Sequence, residues 1–205
     1  MSRRAICILT TAVAVALVLF EVSFVRADDV STLLEQTEAA WPDWLPKPDR
    51  CPADLMPTHE IMFDFSLERC SAETAGCLDR CRSGDAADCY ATAIVFQRVK
   101  DKGKVVDALF LRACALGLVS GCTNRAASMD RESDGNRCAI RTYEKACDLN
   151  DPWACTMIGF HLIRATGINR DHDRARKAFA KSCRFGADDA ACMAAKALLK
   201  EIDRC

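Results

Sequence analysis

The sequence predicts an all-α protein, an α-solenoid of antiparallel helix pairs stacked side by side. Three observations carry this. Four cysteine pairs recur, Cys81 and Cys89, Cys114 and Cys122, Cys147 and Cys155, and Cys183 and Cys192, with first cysteines stepping by 33, 33 and 36 residues. The separation within a pair is eight in the first three and nine in the last. Three residues after each first cysteine stands Gly84, Gly117, Asn150 or Gly186, the residue types that best tolerate the left-handed backbone closing a helix. Four and eight residues before the last three first cysteines stand Phe110, Tyr143 and Phe179, and Val106, Ala139 and Ala175. Those offsets share one helix face. Each such pair of helices is amphipathic and buries its apolar face only by stacking on neighbours.

In chain order, Arg3 and Arg4 precede an apolar run from Ala5 to Phe20, and Val25 and Ala27 sit at −3 and −1 of an A-x-A-like site. Residues 1–27 are therefore expected to be a secretory signal peptide cleaved after Ala27. A retained membrane anchor is the other reading, but the run falls short of the about 20 residues that span a bilayer. Cleavage leaves more acidic than basic residues, a net charge of about −3 against −1 for the whole chain. Such a chain offers no electrostatic footprint for nucleic acid or an anionic membrane. Of the 14 cysteines, only Cys7 leaves with the signal, and export with abundant cysteine points to disulfides in an oxidising compartment.

Residues 28–80 lie outside the recurring pattern and read as an N-terminal cap covering the open face of the first helix pair, which solenoid ends require; a substrate lid is the other reading. Thr32–Ala40 is expected to be a short helix, with Thr32 and Glu35 spaced as a capping box. WPDWLPKPDRCP, Trp41 to Pro52, is too proline-rich to stay helical. Ile61–Phe65 is the one strand-like patch.

Residues 81–205 form the expected array, with helices over Ala86–Val99, Lys104–Leu116, Ser120–Met129, Arg137–Leu149, Pro152–Ala165, Asp173–Arg184 and Asp188–Asp203. Asp85, Asp151-Pro152 and Asp188 provide helix starts ahead of second cysteines. Each first cysteine thus falls in the last turn of one helix and each second cysteine in the first turn of the next.

The stretch IGFHLIRATGINRDHDRARKAFAKSC resembles the Sel-like repeat, a relative of the tetratricopeptide repeat, through Ile158-Gly159, Gly167-Ile168, Asp171, Ala175 and Phe179. The Ala-Cys endings at Cys114 and Cys147 resemble its cysteine-rich bacterial branch, as in the Helicobacter cysteine-rich proteins. The inner units lack the family's Gly-x-Gly-Val loop, and Ala165 replaces its first glycine. The resemblance covers roughly Cys81 to Asp203. It implies a disulfide between the two helices of each unit, Cys81–Cys89, Cys114–Cys122, Cys147–Cys155 and Cys183–Cys192. A tight antiparallel turn fits this, since it brings the two cysteines within the about 4.4–6.8 Å between α-carbons that a disulfide needs.

Other uses of the cysteines fit less well. Structural zinc sites converge paired C-x₂₋₄-C knuckles on one ion, and thiol redox sites use C-x-x-C; no C-x-x-C exists here, Cys77 and Cys81 are the only close pair, and His59, His161 and His172 are scattered. No metal or cofactor is expected. The pairing of Cys51, Cys70, Cys77, Cys138 and Cys205 stays open, with Cys51, Cys70 and Cys77 placed to pin the cap and Cys205 able to join another molecule. No catalytic residue is assigned. Some cysteine-rich relatives are described as penicillin-binding or weakly β-lactam-hydrolysing, but no serine here has lysine three residues on, as that chemistry requires. His161 reads as a packing or interhelix hydrogen-bonding residue, and Asp171, Asp173, Asp188 and Asp189 as caps and loop residues. Arg174, Arg176, Lys177 and Lys181 read as a solvated helix face, or as a surface for an acidic partner.

The N-terminal stretch and the cysteines point to an exported protein, periplasmic or secreted; the resemblance implies a scaffold that binds a protein or peptide on its concave surface, and with no catalytic constellation it is not expected to be an enzyme. The alternatives are a passive envelope structural protein and a weak β-lactam or cell-wall hydrolase.

Overall fold

The computed structural model describes residues 27–59, 66–100, 103–133 and 136–202. The expected signal peptide up to Arg26, the patch Ile61–Phe65 and Cys205 lie outside them. Among the described residues there are ten α-helices, one 3-10 turn and no strand. The helices are α1 (Ala27–Ala40), α2 (Leu67–Ala72), α3 (Thr74–Arg82), α4 (Ala86–Val99), α5 (Lys104–Ala115), α6 (Val119–Glu132), α7 (Arg137–Asp148), α8 (Pro152–Arg164), α9 (His172–Lys181) and α10 (Ala190–Ile202); the 3-10 turn is Pro52–Asp54. From α2 onward each helix packs on the next, and α8 also meets α6 and α10. No helix among these residues is long and apolar enough to cross a membrane.

The turns within the first three cysteine pairs share one backbone solution. Gly84, Gly117 and Asn150 have φ of 103°, 101° and 63°, and the next residue's amide donates back across the turn, Asp85 to the Arg80 carbonyl, Leu118 to Ala113 and Asp151 to Ala146. These bonds satisfy carbonyls that a helix end leaves open. Where the following residue is aspartate, its side chain starts the next helix: Asp85 accepts from the Asp88 amide and Asp151 from the Ala154 amide.

The core carries the stripe seen in the sequence. Phe110, Tyr143 and Phe179 are fully buried, as are Val106, Ala139 and Ala175. Gly159 on α8 is the reason Phe179 fits: a β-carbon there would lie 2.4 Å from the phenylalanine ring.

Several boundaries differ from the sequence reading. Helix α1 spans Ala27–Ala40, so Thr32 lies within it and is not a cap; Asp29 near its start favours helix there, opposite the partial positive charge of a helix N-terminus. Helix α9 is capped by Asp171 and begins at His172. It ends at Lys181, leaving Cys183 in the turn beyond. The extra residue in the fourth pair lengthens that turn, and Asp189, rather than Asp188, accepts the Ala191 and Cys192 amides at the start of α10. Helix α2, capped by Ser66 accepting from the Arg69 amide, was not expected.

Candidate functional site

Residues 41–56 form an irregular strap. Its prolines block helix continuation, so its carbonyls must find donors elsewhere. They find them on α5, α6 and α7. Arg112 Nη1 donates to the Trp44 carbonyl at 2.7 Å, while its Nε and Nη2 donate to the carbonyls of Cys81 and Arg82 at 3.1 and 2.9 Å. The guanidinium also lies 5.1 Å from the centre of the Trp44 ring, within cation–π range. Partial burial lowers its pKa. Arg125 of α6, buried, donates to the Pro48 carbonyl at 2.6 Å. Lys145 of α7 donates to the Ala53 carbonyl at 2.9 Å, and Arg141 pairs with Asp54 at 2.6 Å. Leu45 and Ala53 are buried beneath. A disulfide from Cys51 to Cys138 of α7 fastens the strap. The segment thus reaches well past the first helix pair that the cap reading had it cover. It lies over α5, α6 and α7.

One helix pair further on, a groove lies on the neighbouring helices with no strap over it among the described residues. A groove of about 550 Å³ runs between α7 and α9. Ile158 and Leu162 of α8 form its floor, and Arg141, Lys145, Arg174, Lys177 and Lys181 line its walls, with Glu144 and Asp148. The equivalent floor positions under the strap, 33 residues earlier, are Arg125 and Met129. The basic run of α9 divides here, Arg174, Lys177 and Lys181 lining the groove and Arg176 not.

All twelve cysteines among the described residues are in disulfides. The four pairs singled out in the sequence are joined, with α-carbons 4.5, 4.7, 4.6 and 4.4 Å apart in chain order. Cys51–Cys138 and Cys70–Cys77 are added, with α-carbons 5.8 and 5.5 Å apart. The sequence carried no spacing signal for these two. Of the six bridges, only Cys51–Cys138 has both cysteines partly exposed.

Two polar clusters are buried. Asp88 on α4 is fully buried beside the Cys70–Cys77 bridge and holds Arg69 and Arg80 in ion pairs; the carboxylate raises the Arg80 pKa. Cys70, Cys77 and Asp88 are close enough to resemble a metal triad, but both sulfurs are spent on each other and each carboxylate oxygen meets a guanidinium, so the donors do not fit a cation. His161, fully buried, places Nε2 2.8 Å from Asp130 and Nδ1 3.1 Å from the Thr166 carbonyl, with Tyr143 stacked at 5.8 Å between ring centres. Burial, seconded by Asp130, pushes the Tyr143 phenol well up. His59 contacts Thr58 and His172 opens α9, so the three histidines stay apart. Asp171 and Asp189 cap helices.

No family model, curated protein or solved structure matches this chain.

Proposed function

We propose that the protein is an exported helical-repeat scaffold of Sel-like type that binds an extended polypeptide segment along the face shared by α5, α7 and α9. The observation that carries this reading is the strap. One irregular segment already lies on that face, and it is held by side chains donating to its backbone carbonyls at Trp44, Pro48 and Ala53. Recognition through main-chain carbonyls is indifferent to most of the ligand's sequence and suits an extended peptide. The stacked helix pairs, with their closing turns and disulfides, are the solenoid that keeps the face in shape. Six disulfides suit an oxidising compartment, and with the basic, apolar N-terminal stretch they support a periplasmic or secreted location. The scaffold acts by binding and carries out no reaction of its own.

A photo-crosslinking residue at position 174, on the groove, is expected to capture a polypeptide in the exported protein, and one at position 196, on α10, is not. Equal capture at both sites, or turnover of nitrocefin by the oxidised protein, overturns the proposal.

A further inference from the structure

We propose that the groove between α7 and α9 receives an extended segment rich in aspartate or glutamate, with Lys181 holding a backbone carbonyl and Lys177 the carboxylate beside it. This rests on the reading of the face as a peptide-binding surface and specifies the partner's chemistry. It is an argument from register. Counting back two residues from the first cysteine of the last three pairs gives Arg112, Lys145 and Lys181, against Asp79 in the first pair; counting back six gives Ala108, Arg141 and Lys177, against Ala75. On α5, Arg112 holds the Trp44 carbonyl. On α7, Lys145 holds the Ala53 carbonyl and Arg141 the neighbouring Asp54 carboxylate. Ala53-Asp54 is therefore an acidic dipeptide already bound by the −2 and −6 cations of one helix. Helix α9 repeats both cations at the same positions.

Among the described residues no strap lies on the α9 pair. Lys177 has no hydrogen-bond or ion-pair partner among the described residues. Lys181 falls back on its own scaffold, 3.5 Å from the Cys147 carbonyl and 3.7 Å from Asp148, whose side chain is 83 % exposed. An exposed ion pair of this kind contributes only about 0–1 kcal/mol, so Lys181 turns from it to a ligand carbonyl at little cost. Of the five cationic side chains lining the groove, Arg141 is paired with Asp54 and Arg174 with Glu144, which leaves Lys145, Lys177 and Lys181 against Asp148, an excess of positive charge in a chain whose net charge is −1. That excess selects an acidic ligand and steers its approach.

The floor selects polypeptide among the polyanions. Ile158 and Leu162 are apolar and accept the side chain between two carboxylates, as residues alternate along an extended chain. Glu144 and Asp148 interrupt the cationic walls. They repel a continuous phosphate backbone, while spaced carboxylates pass between them.

The test is fluorescence anisotropy with the full oxidised chain and three labelled hexapeptides, alternating leucine with aspartate, asparagine or lysine. The aspartate peptide is expected to bind at least tenfold more tightly than either other, and less tightly as salt rises. K177E/K181E is expected to lose at least tenfold in affinity, while R98E/K104E, with the same charge change on α4 and α5, keeps it. K177A/K181A serves if the reversed variant fails to fold by circular dichroism. Equal loss in R98E/K104E, or tighter binding of a dT20 oligonucleotide, overturns the proposal. If the asparagine or lysine peptide binds best, or if no peptide binds while the position-174 crosslink forms, the acidic partner is wrong and the peptide-binding reading stands. If no peptide binds and no crosslink forms, both fall.

Discussion

Cys51 and Cys138 are 87 residues apart in the chain and joined by a disulfide, with their α-carbons 5.8 Å apart. The other five bridges close loops of seven to nine residues. This one alone joins the strap to a helix far away in the chain. Loop-closure entropy assigns a bridge of that span up to about 4.6 kcal/mol. The double variant C51S/C138S is expected to lower unfolding stability by about 2–4 kcal/mol. Its amide exchange should speed up over residues 44–56 while α7 and α8 stay protected. Unchanged exchange in the strap would show that its carbonyl contacts suffice alone.

Arg112 gathers three carbonyls, from Trp44, Cys81 and Arg82, with the planar fork only a guanidinium offers. R112K keeps the charge and cannot reach all three at once. It is expected to cost about 1–3 kcal/mol, the range for leaving buried acceptors unsatisfied, and to loosen the strap's N-terminal half. Chemical denaturation together with exchange at Trp44 and Leu45 checks this; a neutral R112K would mean that charge, and not the fork, is what counts.

The pair His161 and Asp130 is buried between α6 and α8. Both ring nitrogens lie within hydrogen-bond distance of oxygens, 2.8 Å from Asp130 and 3.1 Å from the Thr166 carbonyl. Removing one member leaves a buried polar group of the other without its partner, which costs about 1–3 kcal/mol. H161A and D130A are each expected to destabilise by about that much, and the double variant by much less than their sum. Additive losses in a double-mutant cycle would sink the coupling.

Asp151 is buried and joins two helix pairs: it caps α8 and accepts from Ser120 and Thr123 of α6. Desolvation raises its pKa above the ordinary 3.8, against the hydrogen bonds from Ala154, Ser120 and Thr123. With the folded pKa above the unfolded one, the native state holds the proton more tightly. The group's contribution is full below about pH 4 and is lost as pH rises through the folded value. D151N cannot ionise but still accepts at Oδ1. Wild-type stability relative to D151N is therefore expected to fall from pH 3.5 to pH 7, measured by non-reducing urea unfolding; a rise over that interval would reverse the sign.

How much was legible followed from how local each signal was. The helix pairs, their closing turns and the Phe110, Tyr143 and Phe179 stripe could be read because each depends on residues within about one turn of each other. The strap's path could not. Proline content said that Trp41 to Pro52 is irregular, but its course is decided by Arg112, Arg125 and Lys145, whose donors lie 68 to 92 residues away in the chain. Cys138 falls outside the recurring cysteine positions, which was the one hint that it served something else. The groove cations were visible as a basic run, but only the positions of Lys145 and Arg141 against the strap give Lys181 and Lys177 a direction.

The fastening of the strap also bears on competition. A tethered segment meets its own groove at a local concentration on the order of millimolar, and here a covalent bond prevents it from drifting away. A free polypeptide at micromolar levels therefore has no access to the stretch above α6, however well it would fit. With its own chain over α6, the protein leaves the groove between α7 and α9, on the proposed reading, as the neighbouring stretch that a free segment would meet, in the register the strap sets.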